Sequence, residues 1–282
     1  TKVLSENVEQ FPSLSLTARA AGTGLGGGAL TDSIVIDMCA HMQKIGEVTK
    51  KKNITYIQTE PGAMWRDVEK KLKRSGAYIP SFPASKDICS IGGSVGNNAA
   101  GPDSLRYGHT AEWIDSMDVV LHDGHTYTIK ALSAREFKLL MKQDHEHARI
   151  AKEIFDLIAK NEKEIKKGKP HTAKNSAGYP LWSVIPDGVA KFKKGEGVFD
   201  LTRLIAGSQG TVGIITKLIM KAIPVQKNTA LIALPIFNLD DAADAIMKAL
   251  KHDPINVEVF DALSFDLALK NPSFFKDRLD GA

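Results

Sequence analysis

The sequence feature that most constrains this chain is RAAGTGLGGG at residues 19–28, where five glycines follow one arginine. Glycine has no Cβ, so such a loop can adopt positive φ repeatedly and bring several backbone N–H groups close to phosphate oxygens. Residues 14–18 before the loop alternate as a strand does, and a β-branched run at residues 33–37 follows it. We therefore predict a strand–loop–strand unit whose loop holds a phosphate group.

Two other interpretations fit parts of this loop. Gly22, Gly24 and Gly27 satisfy the G-x-G-x-x-G pattern of a dinucleotide-binding Rossmann unit. That unit requires a crossover helix after the last glycine and an acidic residue about 20 positions further on. Only residues 29–32 separate the glycines from the next strand-like run, which leaves no room for the helix. A glycine-rich hairpin, which needs no helix, stays open as an alternative.

Composition and charge exclude one class of partner. The 282 residues are 43% hydrophobic and 25% charged, which is ordinary for a globular protein and favours two domains. The 37 basic and 33 acidic residues give a net charge of +4, and the lysine runs are interleaved with glutamates. Because a segregated basic patch with stacking aromatics is missing from the sequence, we expect no nucleic-acid partner.

Hydropathy, cysteines and histidines bear on compartment and metal binding. No signal peptide and no apolar run long enough to span a bilayer occurs, so we expect no transmembrane segment, while peripheral membrane contact stays open. Cys39 and Cys89 form no C-x-x-C or disulfide framework, which favours a reducing compartment, the cytoplasm. His145 and His147 are two positions apart, so we expect them on different helix faces and predict no metal site.

Hydrophobic periodicity predicts both strands and helices along the chain. Strands are expected at residues 14–18, 33–37, 55–60, 118–121, 126–129, 201–204, 212–220, 231–236 and 255–260. Helices are expected at residues 64–75, 133–141, 148–166, 239–250 and 263–269. The Asp123-Gly124 pair indicates a hairpin turn, and Pro224 marks a domain boundary. Residues 168–197 form a polar excursion of a length that is uncommon without a functional reason.

Two further glycine clusters follow the first. Residues 80–109 have almost no apolar periodicity but many glycines, alanines and asparagines, and residues 206–215 lead into a strand. Small side chains allow a backbone to approach a ligand closely and to serve its carbonyls and ring nitrogens with N–H groups. A mobile surface loop is the alternative for residues 80–109, but Ile88, Ile91 and Val95 favour a packed coil.

Together, the segments RAAGTGLGGGAL, SIGGSVGNNAAGPDSLRYG and GSQGTVGIITK resemble the FAD-binding domain of the vanillyl-alcohol oxidase (p-cresol methylhydroxylase-type) family. The resemblance is closest to the branch of D-lactate dehydrogenases, glycolate oxidase flavoprotein subunits and related FAD-linked oxidases. It implies an α+β fold, with a two-subdomain FAD-binding domain at residues 1–223 that lacks its usual first strand. Residues 224–282 would begin an α+β substrate (cap) domain, and we expect the chain to be truncated at both ends.

The resemblance also implies which residues hold the cofactor. The FAD diphosphate would be bound by the first loop, which Arg19 steadies, through Ala21, Gly22, Thr23, Gly24, Leu25, Gly26 and Gly27. The flavin ring and ribityl chain would be bordered by Pro83, Gly92, Gly93, Ser94, Asn97, Asn98 and Ala99, and the adenosine end by Gly213 and Ile214. Some family members attach FAD through a histidine of the first loop. Thr23 stands at the comparable place here, so we predict non-covalent FAD.

The activity implied is that of an FAD-dependent dehydrogenase. It would oxidise a small 2-hydroxy acid such as D-lactate or glycolate by hydride transfer to flavin N5 and pass the electrons to a separate acceptor. Residues 173–179 resemble a segment that reaches the substrate in hydroxyacid members, which makes Lys174, Asn175 and Tyr179 candidates on the substrate side. Ala173 replaces the arginine expected to hold the carboxylate, and a lysine cannot reproduce its bidentate geometry.

No catalytic residue is assigned, since the base is expected beyond Ala282. The alternative function is an FAD-binding module that is catalytically incomplete without a missing segment or partner.

Overall fold

The computed structural model describes residues 6, 7, 9, 10, 13–172, 174–176 and 178–270. The chain divides into two compact units, residues 1–233 and residues 234–282. The strands are β1 (Leu16–Arg19), β2 (Ile34–Asp37), β3 (Ile45–Lys51), β4 (Ile54–Thr59), β5 (Ala77–Tyr78), β6 (Ile114–Val120), β7 (Thr126–Lys130) and β8 (Ile214–Pro224).

Short and long helices connect these strands. They are α1 (Met38–His41), α2 (Trp65–Arg74), α3 (Ile91–Gly96), α4 (Ser104–Tyr107), α5 (Ala134–Leu140), α6 (Glu146–Lys167), α7 (Val189–Lys193), α8 (Thr202–Ile205), α9 (Leu239–Leu250) and α10 (Ala262–Leu269). Single 3₁₀ turns lie at Thr110–Trp113 and Leu181–Ser183. None of the helices in this described part of the chain combines the length and the hydropathy needed to span a bilayer.

The first glycine cluster joins two parallel strands. β1 and β2 pair with Leu16 opposite Ile34 and Arg19 opposite Asp37. A hairpin joins antiparallel strands, so this pairing excludes the hairpin interpretation. The connection, residues 20–33, is described throughout and contains no helix, which excludes the Rossmann crossover. The strand–loop–strand unit predicted from the sequence is therefore present.

A six-stranded antiparallel sheet forms the body of the first unit. Its order is β3-β4-β8-β6-β7, with β5 also pairing with β8. Val120 pairs with Thr126 across the predicted Asp-Gly hairpin, where Gly124 has φ of +79°. One face of α2 is buried in the same core, because Trp65, Val68 and Leu72 recur at helical spacing. Burial of each such side chain stabilises the fold by about 1.5–3 kcal/mol.

Four phenylalanines hold the polar excursion against the helices. Phe137 of α5 lies 4.8 Å from Phe199 and 5.6 Å from Phe192 of α7, measured between ring centroids. Phe155 of α6 lies 5.1 Å from Phe137. Part of the excursion is thus a packed element that carries its own core residue.

The structure corrects several of the predicted elements in the first unit. Residues 201–204 were expected to be a strand but lie mostly in α8, because Asp200 Oδ1 accepts hydrogen bonds from the N–H and Oγ1–H of Thr202 at 3.0 and 2.6 Å. Residues 80–109 contain two short helices, α3 and α4, rather than coil alone. The pattern also missed β3, a largely exposed strand with weak apolar alternation.

The second unit is described to residue 270 and contains α9 and α10. Each helix begins at a capping side chain: Asn238 Oδ1 accepts from Asp241 N–H at 2.8 Å, and Asp261 Oδ1 accepts from Ser264 N–H at 2.6 Å. Both helices were predicted, but the predicted strands at residues 231–236 and 255–260 are not formed. A strand needs a hydrogen-bonded neighbour, and neither segment pairs with any described residue. The predicted division at residue 224 stays a prediction.

Candidate functional site

The three glycine clusters meet at one cleft. It encloses about 1100 Å³, counting the part that is open to solvent. Residues from all three clusters line it, together with apolar side chains of α1, the turn after β4, α8 and β8. None of the side chains lining it belongs to aspartate, glutamate, lysine, arginine or histidine. A charged ligand would therefore be held mainly by backbone dipoles.

The first loop presents unused backbone donors to this cleft. Gly22 and Gly27 have φ of +71° and +73°, which only glycine adopts without strain. Among the described residues, no hydrogen bond is made by the N–H groups of the five residues 22–26 to another protein atom. Successive backbone N–H groups without a protein acceptor are suited to binding an anion.

Neighbouring residues fix the start of this run of donors. Ala21 N–H donates to Ser90 Oγ at 3.3 Å, which ties the start of the loop to the residue before α3. The guanidinium of Arg19 lies against Gly22, since a Cβ added there would be 3.1 Å from Nη2. Arg19 does not itself line the cleft. Its positive charge beside the loop adds to the attraction that the free N–H groups exert on an anion.

Helix α3 packs closely against the turn after β4, beneath the cleft. Ile91 N–H donates to Ala63 O at 2.9 Å and Gly92 N–H donates to Pro61 O at 2.8 Å. A Cβ on Gly92 would lie 2.4 Å from Pro61 Cβ, and one on Gly93 would lie 3.1 Å from Ala20 Cβ. Because glycine has no side chain, Gly92 and Gly93 allow α3 to pack closely against Pro61 and Ala20. Only the backbone of these two glycines can then face a ligand.

The third cluster closes another side of the cleft. Gly207 N–H donates to Val95 O at 3.0 Å and Gln209 N–H donates to Gly96 O at 2.8 Å, so this loop is fastened to the end of α3. Gln209 has φ of +53°, which is unusual for a residue with a side chain. Its side-chain amide lies against Gly28, since a Cβ there would be 2.5 Å from Oε1. Gln209 thus connects the third cluster to the first.

The substrate-side candidates lie beside the second and third clusters. Asn175 N–H donates to His109 Nε2 at 3.2 Å, and the Tyr179 hydroxyl is hydrogen-bonded to Thr211 Oγ1 at 2.6 Å. Burial, with a further contribution from the Lys174 charge, lowers the pKa of His109, although Glu112 opposes this. His109 is therefore neutral near pH 7 and can accept this hydrogen bond. Ala173 lies outside the described residues.

Twelve of the predicted cofactor residues line the cleft: Ala21, Gly22, Thr23, Gly24, Gly26, Pro83, Gly92, Gly93, Ser94, Asn97, Ala99 and Gly213. The other five, Arg19, Leu25, Gly27, Asn98 and Ile214, do not. The Leu25 side chain is fully exposed, and Ile214 is buried where β8 pairs with β6. Asn98 has a structural partner, because its Oδ1 accepts from Ala111 N–H at 3.0 Å.

Sequence reasoning missed several lining residues. Ser90 precedes α3, and Ser208 and Gln209 lie within the third cluster, upstream of the glycine chosen from it. The polar Ser-Gln pair between two glycines was a usable signal, since such a loop places a side-chain amide where backbone can approach closely. Cys89 also lines the cleft, and burial raises the pKa of its thiol, so it stays neutral.

The histidine pair does not have the predicted geometry. His145 is the residue before α6, and its Nδ1 accepts from Ala148 N–H at 3.2 Å. Its ring therefore stacks on that of His147 at 6.0 Å and 13°, whereas two helical residues at this spacing would point apart. No group of three or more potential ligands suited to a metal ion occurs among the residues that the structure describes.

The cleft fits a flat dinucleotide cofactor such as FAD. A Cβ on Gly24 or Gly26 would have no heavy atom within 4 Å, so open space faces the loop with the free donors. Met38, Pro61, Pro83, Ile205 and Ile215 supply apolar surface in the same cleft. A diphosphate needs the donors, and a tricyclic ring needs the apolar surface.

Comparison with known proteins supports this assignment. A family model described as an FAD binding domain matches residues 8–130. The D-2-hydroxyglutarate dehydrogenase of Escherichia coli (strain K12) is 26% identical over 260 residues, which are 92% of this chain and 25% of that protein. Glycolate oxidase subunit GlcD of Bacillus subtilis (strain 168) is 26% identical over 249 residues, 87% of this chain and 40% of that protein. The chain spans about a quarter of the length of the D-2-hydroxyglutarate dehydrogenases that it matches.

A solved structure of alkyldihydroxyacetonephosphate synthase has the same fold over 98% of this chain and 40% of that one, with a TM-score of 0.58 and 17% identity. The predicted FAD cofactor is confirmed by the family match. The mixed α and β fold with an FAD-binding domain is confirmed as well. The two-subdomain arrangement stays a prediction.

Proposed function

We propose that this chain belongs to the FAD-linked oxidase family and forms the FAD-binding part of a dehydrogenase that oxidises a small 2-hydroxy acid. D-lactate, glycolate and 2-hydroxyglutarate are the substrate candidates that the names of its relatives suggest. One observation carries the proposal: the N–H groups of residues 22–26 have no protein acceptor, and four of these residues, Gly22, Thr23, Gly24 and Gly26, line a cleft shared with both other glycine clusters.

Each wall of the cleft has a role in this proposal. The first loop would hold the diphosphate, the residues around α3 would border the flavin, and Gly213 with the preceding Gln209 would meet the adenosine side. When bound, FAD supplies the site that accepts a hydride from the substrate carbon. We propose that it is bound without a covalent link, because Thr23 stands in the first loop where some family members have a histidine.

The chain's own residues would bind and orient the substrate next to that site. The Lys174 ammonium would attract the carboxylate as a point charge, without the two-pronged geometry of an arginine. His109 holds the backbone of Asn175, and Thr211 holds the Tyr179 hydroxyl, so this segment has two fixed points beside the cleft. Both contacts orient the candidates before substrate arrives, which reduces the entropy cost of binding.

Domain organisation and compartment complete the proposal. Residues 1–223 would form a two-subdomain FAD-binding domain and residues 224–282 would begin the substrate domain. Electrons would pass to a separate acceptor. The cysteines Cys39 and Cys89 are both free thiols, which is consistent with a reducing compartment such as the cytoplasm.

A second candidate function is an FAD-binding module without turnover of its own. Its support is the substrate-side segment, where Ala173 replaces the arginine expected to hold the carboxylate. Dye reduction by the FAD-loaded protein, measured with D-lactate, glycolate and D-2-hydroxyglutarate in turn, separates the two candidates. Reduction with one acid supports the dehydrogenase. FAD binding without reduction by any of them supports the module, and absence of FAD binding contradicts both.

A further inference from the structure

A groove of strongly basic character lies between α5 and α7, and no residue of the three glycine clusters lines it. We call it the cationic groove. Five of its eight lining residues are basic; the full lining is Ala134, Arg135, Lys138, Leu139, Lys142, Lys193, Lys194 and Gly195. No acidic residue lines it. The groove therefore concentrates positive charge on a chain whose net charge is only +4.

The charges of the cationic groove are not neutralised within the protein. In the part of the chain that the structure describes, none of its five basic side chains forms an ion pair. Lysines elsewhere do pair, as Lys71 does with Glu47 and Lys152 with Asp156. The nearby Glu136 is engaged by Lys130 at 2.8 Å and by the Ser133 N–H at 2.9 Å.

Two buried aromatic rings pack beneath the cationic groove. Phe137, between Arg135 and Lys138, is 8% exposed, and Phe192, next to Lys193, is 3% exposed. Their ring centroids lie 5.6 Å apart with an interplanar angle of 81°, the edge-to-face arrangement that aromatic pairs prefer. These rings pack α5 against α7 and so hold together the two elements that carry the basic residues.

We propose that the cationic groove docks the protein on anionic phospholipid head groups at a membrane surface. All five basic side chains are exposed, so a single small anion would be held only by interactions that water and salt screen strongly. A membrane surface offers many negative charges at once and attracts clusters of four or more basic residues. Leu139 lies among the cations and is 52% exposed, which suits contact with the boundary between head groups and acyl chains.

Sedimentation with lipid vesicles tests this proposal on the whole chain. Vesicles of phosphatidylcholine mixed with phosphatidylglycerol are compared with vesicles of phosphatidylcholine alone. The test variant combines Lys138→Glu, Lys142→Glu and Lys193→Glu. A matched control combines Lys50→Glu, Lys51→Glu and Lys169→Glu, which are exposed lysines outside the groove and make the same change in net charge. Thermal unfolding of both variants checks that they fold like the unaltered protein.

We expect the unaltered protein to sediment with the anionic vesicles and not with the neutral ones. The test variant should lose more than about tenfold in vesicle affinity, while the control stays within about threefold. An equal loss in both variants would overturn the proposal, since net charge alone would then explain it. Lack of preference for the anionic vesicles would overturn it too. Stronger binding to soluble polyaspartate or to inorganic phosphate than to vesicles would also overturn the proposal, because an acidic protein or a free anion would then be the ligand.

Discussion

At the scale of single residues, two glycines of the first loop differ in what they require. Gly22 has φ of +71° and packs against Arg19, so it is needed by the backbone itself. Gly24 has no such φ, and no heavy atom lies within 4 Å of the place a Cβ would take. The protein alone therefore gives no reason for a glycine at position 24, whereas a ligand filling the cleft does.

Gly24→Val separates these two kinds of requirement. The valine side chain would extend into open space, so we expect the free energy of unfolding without ligand to change by less than about 0.5 kcal/mol. FAD affinity should fall by at least about tenfold, because the side chain takes space next to the free N–H groups. Urea unfolding and flavin fluorescence titration measure the two effects. Unchanged FAD affinity would contradict the placement of the diphosphate.

His147 makes the stability of the protein depend on pH. Its side chain is 8% exposed, and burial, together with the charge of His145, lowers its pKa to about 4. The unfolded chain binds this proton at the ordinary pKa of about 6.5, so it holds more protons than the native state between the two values. The stabilising effect of the neutral imidazole is complete above about pH 6.5 and is lost as the pH falls to about 4.

Replacing His147 by phenylalanine should flatten this part of the pH dependence. The aromatic ring is kept beside Tyr127, but the proton site is removed. We expect the drop in unfolding free energy between about pH 7.5 and about pH 4.5 to shrink by roughly 2 kcal/mol. His125→Phe is the matched control, since the His125 side chain is 70% exposed. Urea unfolding at each pH measures this dependence. If the pH dependence is flattened equally in both variants, the assignment to His147 is refuted.

At the scale of elements, the seat of α3 depends on one close contact. A Cβ on Gly92 would lie 2.4 Å from Pro61 Cβ and 2.7 Å from Pro61 O, and neither atom belongs to a flexible chain end. Gly96 lies in the same helix, and a Cβ there would meet nothing closer than 3.9 Å. The two positions therefore form a natural pair for substitution by alanine.

Gly92→Ala should push α3 away from the turn after β4. We expect it to lower the free energy of unfolding by about 1–3 kcal/mol, as overpacking does in a dense core. Gly96→Ala should be neutral or slightly stabilising, because alanine favours helix by up to about 1 kcal/mol. Chemical unfolding of both variants measures the difference. Equal stabilities would show that α3 is not seated against Pro61.

The sequence predicted local elements well where a pattern was strong and a partner lay nearby. The helical spacing of Val68 and Leu72 and the Asp123-Gly124 turn both indicated the observed structure. Residues 231–236 and 255–260 have strand composition, but composition does not supply a neighbouring strand. Thr202 shows the opposite case, since strand-like composition there gives way to a helix whose first residue donates its N–H to Asp200 Oδ1.

The sequence indicated the three loops of the candidate site, but it did not indicate how these loops pack together. Glycine content indicated where backbone could approach a ligand, and twelve of the chosen residues do line the cleft. Contacts between loops were not visible in the pattern. The hydrogen bond from Gln209 N–H to Gly96 O joins positions far apart in the chain, and it decides that Gln209 rather than Ile214 faces the cleft.

At the scale of the whole molecule, the first unit brings two strands, α3 and the third cluster around one cleft. Because β1 and β2 are parallel, residues 20–33 run from the C-terminal end of β1 back to the N-terminal end of β2, and the hydrogen bonds to Val95 and Gly96 fasten the third cluster to α3 at the same cleft. All residues that line the cleft therefore belong to the first unit. Among the described residues, no aspartate, glutamate, lysine, arginine or histidine lines the cleft, which is consistent with a cofactor held by backbone groups and apolar contact.

Acid precipitation of the FAD-loaded protein tests how the cofactor is attached. Thr23 supplies no ring nitrogen for a link to the flavin, so we expect all flavin absorbance in the supernatant and none in the pellet. Flavin that stays with the washed, precipitated protein would show a covalent bond and contradict this prediction. Cys89, which lines the cleft, would then be the residue to replace.

Titration of the purified chain with FAD, followed by flavin fluorescence, tests whether the three glycine clusters form one FAD site. These clusters form one cleft with one run of free donors, so we expect saturation at one FAD per chain. NADH should not compete, and Gly24→Val should weaken the binding in the same assay. Failure of the folded chain to bind FAD, or binding of NADH in preference to FAD, would contradict an FAD site in this cleft.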